Sequence, residues 1–241
     1  MSINKRTALL PGMRKPHLSN ICLILVGPPG CGKTFVTSKT CAVIGLSREA
    51  AILASPDQQL AADTRRDLHA MLNCDVPPQL FREEDYYRMD NVFQDVWRKH
   101  RPTYEGSMAK LRFADSLRRP IIREAPADSK ASCRSVIAFC REARKLGYRV
   151  IMASPLIPLE LLWKRVVARA ASESRTVGGR IHVQRGYAWF LLHVGEIVRA
   201  ADEVLLFDNT GRTPLLVYNG PPDSEKIAEL AARLSNGVST K

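Results

Sequence analysis

The spacing of hydrophobic positions in this chain changes repeatedly along its length. Ile21–Gly27 opens with an unbroken apolar run, Ile-Cys-Leu-Ile-Leu-Val, which reads as a strand covered on both faces of a parallel sheet. Shorter runs at Ala51–Ser55, Pro120–Ala125, Tyr148–Ser154, Glu203–Asn209 and Pro214–Tyr218 predict five more strands. Between them the period lengthens to that of an amphipathic helix. A helix is predicted from Lys33 to about Ile44, and another begins near Pro158. Asp128–Leu146 places Ser132, Val136, Phe139, Cys140 and Ala143 on one face, and Gly147 stops it. Gln184–Ala201 aligns Tyr187, Leu191, Val194 and Val198, and Ser224–Leu234 aligns Ile227, Leu230, Ala231 and Leu234. Strands alternating with helices predict an α/β fold: a doubly wound, mostly parallel sheet with helices on both faces.

The turn after the first strand carries the strongest chemical signal. Gly27-Pro28-Pro29-Gly30-Cys31-Gly32-Lys33-Thr34 fits G-x-x-x-x-G-K-[ST], with a strand before it and a helix after it, the context of a phosphate-binding loop in a P-loop NTPase fold. In such a loop backbone N–H groups and the helix N-terminus face the phosphates of ATP. Lys33 is expected to reach the β- and γ-phosphates, and Thr34 to ligate Mg²⁺.

The rhythm breaks once. Residues 74–119 form a helical insertion between the second and third strands, with Tyr86, Tyr87, Phe93, Trp97, Tyr104 and Phe113. In small-molecule kinases an insertion at this place shapes the acceptor pocket. Aromatic residues at helical spacing also pack a helical pair into a core, and the pattern leaves both readings open. No linker or repeat divides the chain, so a basic arm, 1–19, is followed by one domain, 20–241.

Composition narrows the partners. The 241 residues carry a formal net charge of +12, which favours anionic ligands: nucleotides, phosphorylated sugars or nucleic acid. Aromatic-glycine RNA-binding motifs are absent, so nucleic acid has charge but no motif in its favour. No apolar stretch reaches the length of a membrane span, and the first twenty residues lack the apolar core of a secretory signal, so a cytoplasmic protein is expected; the basic arm suits a solvated segment or, alternatively, a weak organelle-targeting signal. The six cysteines have neither C-x-x-C spacing nor paired histidines. Most of them read as small buried hydrophobes in a reducing compartment, with Cys31 in the phosphate loop a candidate for oxidation although nothing in the sequence marks a lowered thiol pKa.

Phosphoryl transfer also needs cationic stabilisation of the transferring group and a base for the acceptor hydroxyl. Asp57 follows the second strand, where strand ends line the ligand crevice of such a sheet. It is a candidate base, although Pro56-Asp57 also resembles a helix start. Arg165, Arg169, Arg175, Arg180 and Arg185, with Gly178 and Gly179, suit an arginine-rich lid over 165–183, or alternatively a solvated basic helix and loop or a nucleic-acid patch. Glu124, at the end of the third strand, suits a metal second shell or a substrate hydrogen bond, and Asp128 suits a helix cap. Phe207-Asp208-Asn209 suits either an adenine flank or a plain turn.

With these residues in place the chain resembles the zeta-toxin family of P-loop kinases over about Asn20 to Gly220. The resemblance rests on the phosphate loop, on Ser55-Pro56-Asp57, on Arg144-Lys145-Leu146-Gly147-Tyr148-Arg149-Val150 leading to Ala153-Ser154-Pro155, and on Arg169 and Arg180 flanking a short insertion. It implies ATP-dependent phosphorylation of a hydroxyl, with Asp57 as base and Arg169 and Arg180 as γ-phosphate contacts. In the best-known members the small-molecule acceptor is UDP-N-acetylglucosamine. The sequence departs from the family at Ser55, where an acidic residue is usual, and at Glu124-Ala125-Pro126-Ala127, which replaces a Glu-Gly-Thr-like turn and lacks a sugar-contacting arginine.

Overall fold

A computed structural model describes residues 20–54, 104–173 and 180–235 of the chain. Asp57, the aromatic residues 86–97, the basic arm and most of the lid loop lie outside the described residues.

Six strands form one sheet: β1 (Ile21–Val26), β2 (Ile52–Ala54), β3 (Ile121–Ala125), β4 (Arg149–Leu156), β5 (Glu203–Asp208) and β6 (Leu215–Gly220). Their order is β2-β3-β1-β4-β5-β6, all parallel except β6, which runs antiparallel to β5. The described helices are α1 (Lys33–Ile44), α2 (Tyr104–Ser116), α3 (Lys130–Lys145), α4 (Leu159–Glu173), α5 (Arg180–Val198) and α6 (Ser224–Ser235). All six residues of β1 are buried, as its continuous apolar run predicts. Its alternate side chains divide between two cores. Cys22, Ile24 and Val26 join the layer that includes Leu111 of α2, Phe139 of α3, Phe190 of α5 and Ile227 of α6. Ile21, Leu23 and Leu25 join the opposite layer, with Val36 and Cys41 of α1. The doubly wound architecture is therefore present, with helices on both faces.

The chain leaves β1 toward β2 and β3 on one side, then crosses to β4, β5 and β6 on the other. The carboxyl end of β1 is thus the topological switch point, where open α/β sheets bind ligands. The phosphate loop sits there.

Several boundaries moved for physical reasons. Helix α3 starts at Lys130, capped by Ser129, whose side chain accepts from the Ser132 backbone N–H. The Ser132 hydroxyl completes the capping box, so Cys133 and not Ser132 takes the core position. The Asp128 carboxylate accepts from that same hydroxyl at 3.0 Å and so supports the cap from outside. Strand β4 runs through Pro155 to Leu156, and Gly147 takes the left-handed conformation that ends the preceding helix, φ 81°. At the end of the 74–119 insertion, α2 packs Met108, Leu111 and Ala114 into the core while Phe113 stays exposed. Among the described residues no helix is long and apolar enough to cross a membrane.

Candidate active site

Three glycines give the phosphate loop its shape. Gly27, Gly30 and Gly32 have φ of 148°, 82° and 94°, and each faces a neighbour that a side chain would strike. A Cβ on Gly30 would lie 2.4 Å from Val166 Cγ2, and one on Gly32 would lie 2.4 Å from Asn209 Nδ2. The motif glycines are therefore needed both for backbone conformation and for close approach of α4 and the end of β5.

Helix α1 opens at Gly32 with no side-chain cap and no acidic residue in its first turn. Its positive dipole end is left to an anion. Lys33 reaches back across the loop and donates to the carbonyls of Gly27 at 2.8 Å and Pro28 at 3.1 Å. An ammonium group has three donors, so among the described residues one remains for a phosphate oxygen. Thr34 is exposed in the first turn of α1. One turn on, Thr37 donates to the Lys33 carbonyl at 2.9 Å and stands 3.5 Å from Glu124 Oε1. Thr34 and Thr37 are three apart on the helix, so the half-buried Glu124 carboxylate lies along the α1 face that carries Thr34. A hydroxyl at the helix start with a carboxylate on the same face is a donor set that fits Mg²⁺.

Cys31 is fully buried inside the loop, and burial raises its thiol above the ordinary range, opposed in part by the nearby Lys33 charge. A neutral, enclosed thiol is a poor target for oxidation, which corrects the expectation for this residue. Its side chain belongs to a small apolar cluster with Ile157, Leu162, Val166, Val183 and Tyr187, which ties α4 and α5 to the loop. Tyr187 anchors the join by donating to the Ile157 carbonyl at 2.7 Å. Cys22, Cys41, Cys133 and Cys140 are also buried and free.

The arginines separate. Arg165 and Arg169 share one side of α4, as their spacing predicts. Arg165 reaches the loop: its Nη1 lies 3.8 Å from a Cβ position on Gly32, and its Nη2 donates to the Asn209 carbonyl at 2.8 Å. Partial burial lowers its pKa from the usual arginine value. Arg180 opens α5, exposed, and pairs with Glu160 at 2.8 Å. The structure thus brings Lys33, Thr34, Glu124 and Arg165 to one end of the sheet, and engages Arg180 with a carboxylate of α4. Sequence reasoning treated Arg165 as one of a group and gave Asn209 no role at the loop. A signal for Asn209 existed only in its position at a strand end.

No protein-family model and no curated protein matches the sequence. Solved structures do match. The chain is similar to a chain of the PezAT chromosomal toxin–antitoxin system of Streptococcus pneumoniae, with a TM-score of 0.56 at 13% identity, covering 92% of this chain and 80% of that one. Looser likenesses are to a shikimate kinase from Acinetobacter baumannii (TM-score 0.38, 12% identity, 95% and 100% covered) and to the AvrRxo1-ORF1:AvrRxo1-ORF2 complex (0.49, 15%, 92% and 65%). At such identities the likeness is one of fold. This chain shares the fold of that toxin–antitoxin chain, and its resemblance to the zeta-toxin family holds at the level of fold.

Proposed function

We propose that this protein is an ATP-dependent kinase that transfers a γ-phosphoryl group to a hydroxyl of a small anionic acceptor. The observation that carries the reading is the phosphate loop itself. An uncapped helix N-terminus, a lysine with an unused donor and the guanidinium of Arg165 converge at the switch point of a parallel sheet.

In this reading Gly27, Pro28, Pro29, Gly30, Cys31 and Gly32 wrap the β-phosphate with backbone groups, and Lys33 bridges to the γ-phosphate. Thr34 holds Mg²⁺ with Glu124 behind it, and Mg²⁺ when bound neutralises charge on the phosphate oxygens. Arg169 and Arg180 balance the charge that develops on the transferring group, and Arg180 exchanges Glu160 for phosphate when it does so. Asp57 takes the proton from the acceptor hydroxyl. The hydroxyl oxygen then bonds to the γ-phosphorus as the bond to the ADP oxygen breaks. UDP-N-acetylglucosamine or a related nucleotide sugar is the acceptor that the family resemblance favours.

The test is incubation with ATP, Mg²⁺ and a metabolite mixture that includes nucleotide sugars, with mass detection of any species that gains a phosphoryl group. Phosphorylated acceptor with wild-type protein and none with Lys33→Ala is the expected result. Failure of the wild type to bind ATP would overturn the reading. The net charge of +12 favours a second reading, phosphorylation of a nucleotide or a nucleic-acid end. Oligonucleotide labelling, with binding that falls steeply with salt, would select it.

A further inference from the structure

Asn209 follows β5 and is fully buried. Three hydrogen bonds hold it. Its backbone N–H donates to the Leu156 carbonyl at 2.9 Å, its carbonyl accepts from Arg165 Nη2 at 2.8 Å, and its side-chain Nδ2 donates to the Cys31 carbonyl at 2.8 Å. The orientation of the amide is chemically forced, since only the NH₂ end can face a carbonyl. Among the described residues its Oδ1 has no hydrogen-bond partner, so the amide is retained at the expense of an unsatisfied acceptor.

The Cys31 carbonyl belongs to the same peptide unit as the Gly32 N–H. That unit is planar and trans, so its C=O and N–H point in opposite directions. Pulling the carbonyl toward Asn209 therefore turns the Gly32 N–H to the opposite side of the loop. We propose that Asn209 is a positioning residue that sets the Cys31–Gly32 peptide plane and thereby aims the Gly32 N–H at a bound polyphosphate. Through its own carbonyl the same residue ties that plane to Arg165, so the loop and the arginine-bearing helix α4 are set together. The identity of the ligand rests on the kinase reading above, whereas the orientation of the peptide does not.

The experiment uses the full chain and Asn209→Leu, which keeps the number and branching of the side-chain heavy atoms and removes both the donor and the unpartnered acceptor. Calorimetric titrations with ATP, ADP and adenosine are compared with thermal melts, and the Gly32 amide is followed by NMR without nucleotide. Losing one hydrogen bond predicts about three- to tenfold weaker ATP and ADP binding. Adenosine affinity should not change, the melting midpoint should stay within a few degrees of wild type, and the Gly32 amide resonance should shift. If catalysis is measurable, KM for ATP rises while KM for the acceptor does not. Should Asn209→Leu fail to fold, Asn209→Ser supplies a shorter donor and is expected to fall between it and wild type. Unchanged ATP affinity in a variant whose wild type binds ATP would overturn the inference alone. Equal losses for ATP and adenosine would reduce Asn209 to a purely structural part. A wild type that binds no nucleotide would overturn the kinase reading, and the Gly32 resonance would then decide the positioning role, an unshifted signal counting against it.

Discussion

Gly32→Ala puts two separate costs on one position. The first is backbone strain: φ is 94°, and an L-residue in the left-handed region costs about 1–2 kcal/mol. The second is collision. The new methyl would lie 2.4 Å from Asn209 Nδ2, and moving that buried amide breaks its hydrogen bond to the Cys31 carbonyl. A buried polar group left unpaired costs about 1–3 kcal/mol. The sum is about 2–5 kcal/mol, a large share of the stability of an ordinary domain. Gly147→Ala and Gly45→Ala are the controls, because their φ values are 81° and 70° and no described residue lies within 4 Å of either Cβ position. Each should show the backbone cost alone. Urea unfolding of the three variants therefore isolates the collision as the excess of Gly32→Ala over the controls, about 1–3 kcal/mol. Equal losses at all three glycines would refute the packing of Asn209 against the loop.

Lys33→Ala removes the donor that bridges Gly27 and Pro28, and should abolish phosphoryl transfer and weaken ATP binding at least tenfold by calorimetry. The raised thiol of buried Cys31 predicts that iodoacetamide at pH 8 labels it far more slowly in the native protein than in the urea-unfolded chain, read by peptide mass mapping. Tyr148 donates to the Arg119 carbonyl at 3.0 Å, and burial pushes its phenol up to about 12 from an ordinary 10. Ionisation is thus opposed in the folded state: this contribution is intact below pH 10 and lost as pH rises toward 12, so the stability gap between wild type and Tyr148→Phe should narrow over that window in urea titrations. Gly30→Ala should destabilise by about 2–4 kcal/mol, and Val166→Ala in the same chain should recover about 1–2 kcal/mol of it by removing the Cγ2 atom that lies 2.4 Å from the new methyl; additive losses in unfolding experiments would show that the contact is not what excludes a side chain there.

Much of the architecture was legible because it is local. The β1 run, the loop glycines and the helix after them occupy 24 consecutive residues from Ile21 to Ile44, and each strand and helix elsewhere was marked by its own period. The errors came where one local signal served two purposes. Ser132 lies at a helical interval from Val136, but its hydroxyl is committed to the cap, so the core face begins one residue later. Pro155 argued for an end to β4, yet β4 pairs with β1 only as far as Ala153, so beyond that point one side of the strand has no ladder for a missing N–H to interrupt. The antiparallel setting of β6 has no local mark at all. Arg180 and Glu160 stand 20 residues apart, and nothing in either neighbourhood announces the pair.

The supports of the loop were hidden for the same reason. The motif names the residues that would touch phosphate, but its geometry is held by partners remote in sequence: Val166 against Gly30, and Asn209 on the Cys31 carbonyl, 178 residues away. Helix α4 shows how one element meets both needs. Leu162 and Val166 are four apart and pack beneath the loop, while Arg165, beside them on the same turn, brings its charge to Gly32. Displacing α4 would therefore move an arginine and loosen a glycine contact together. In physical terms, the phosphate loop is less a flexible glycine turn than a backbone clamped from two sides. The glycines are required because the clamps leave no room for a side chain.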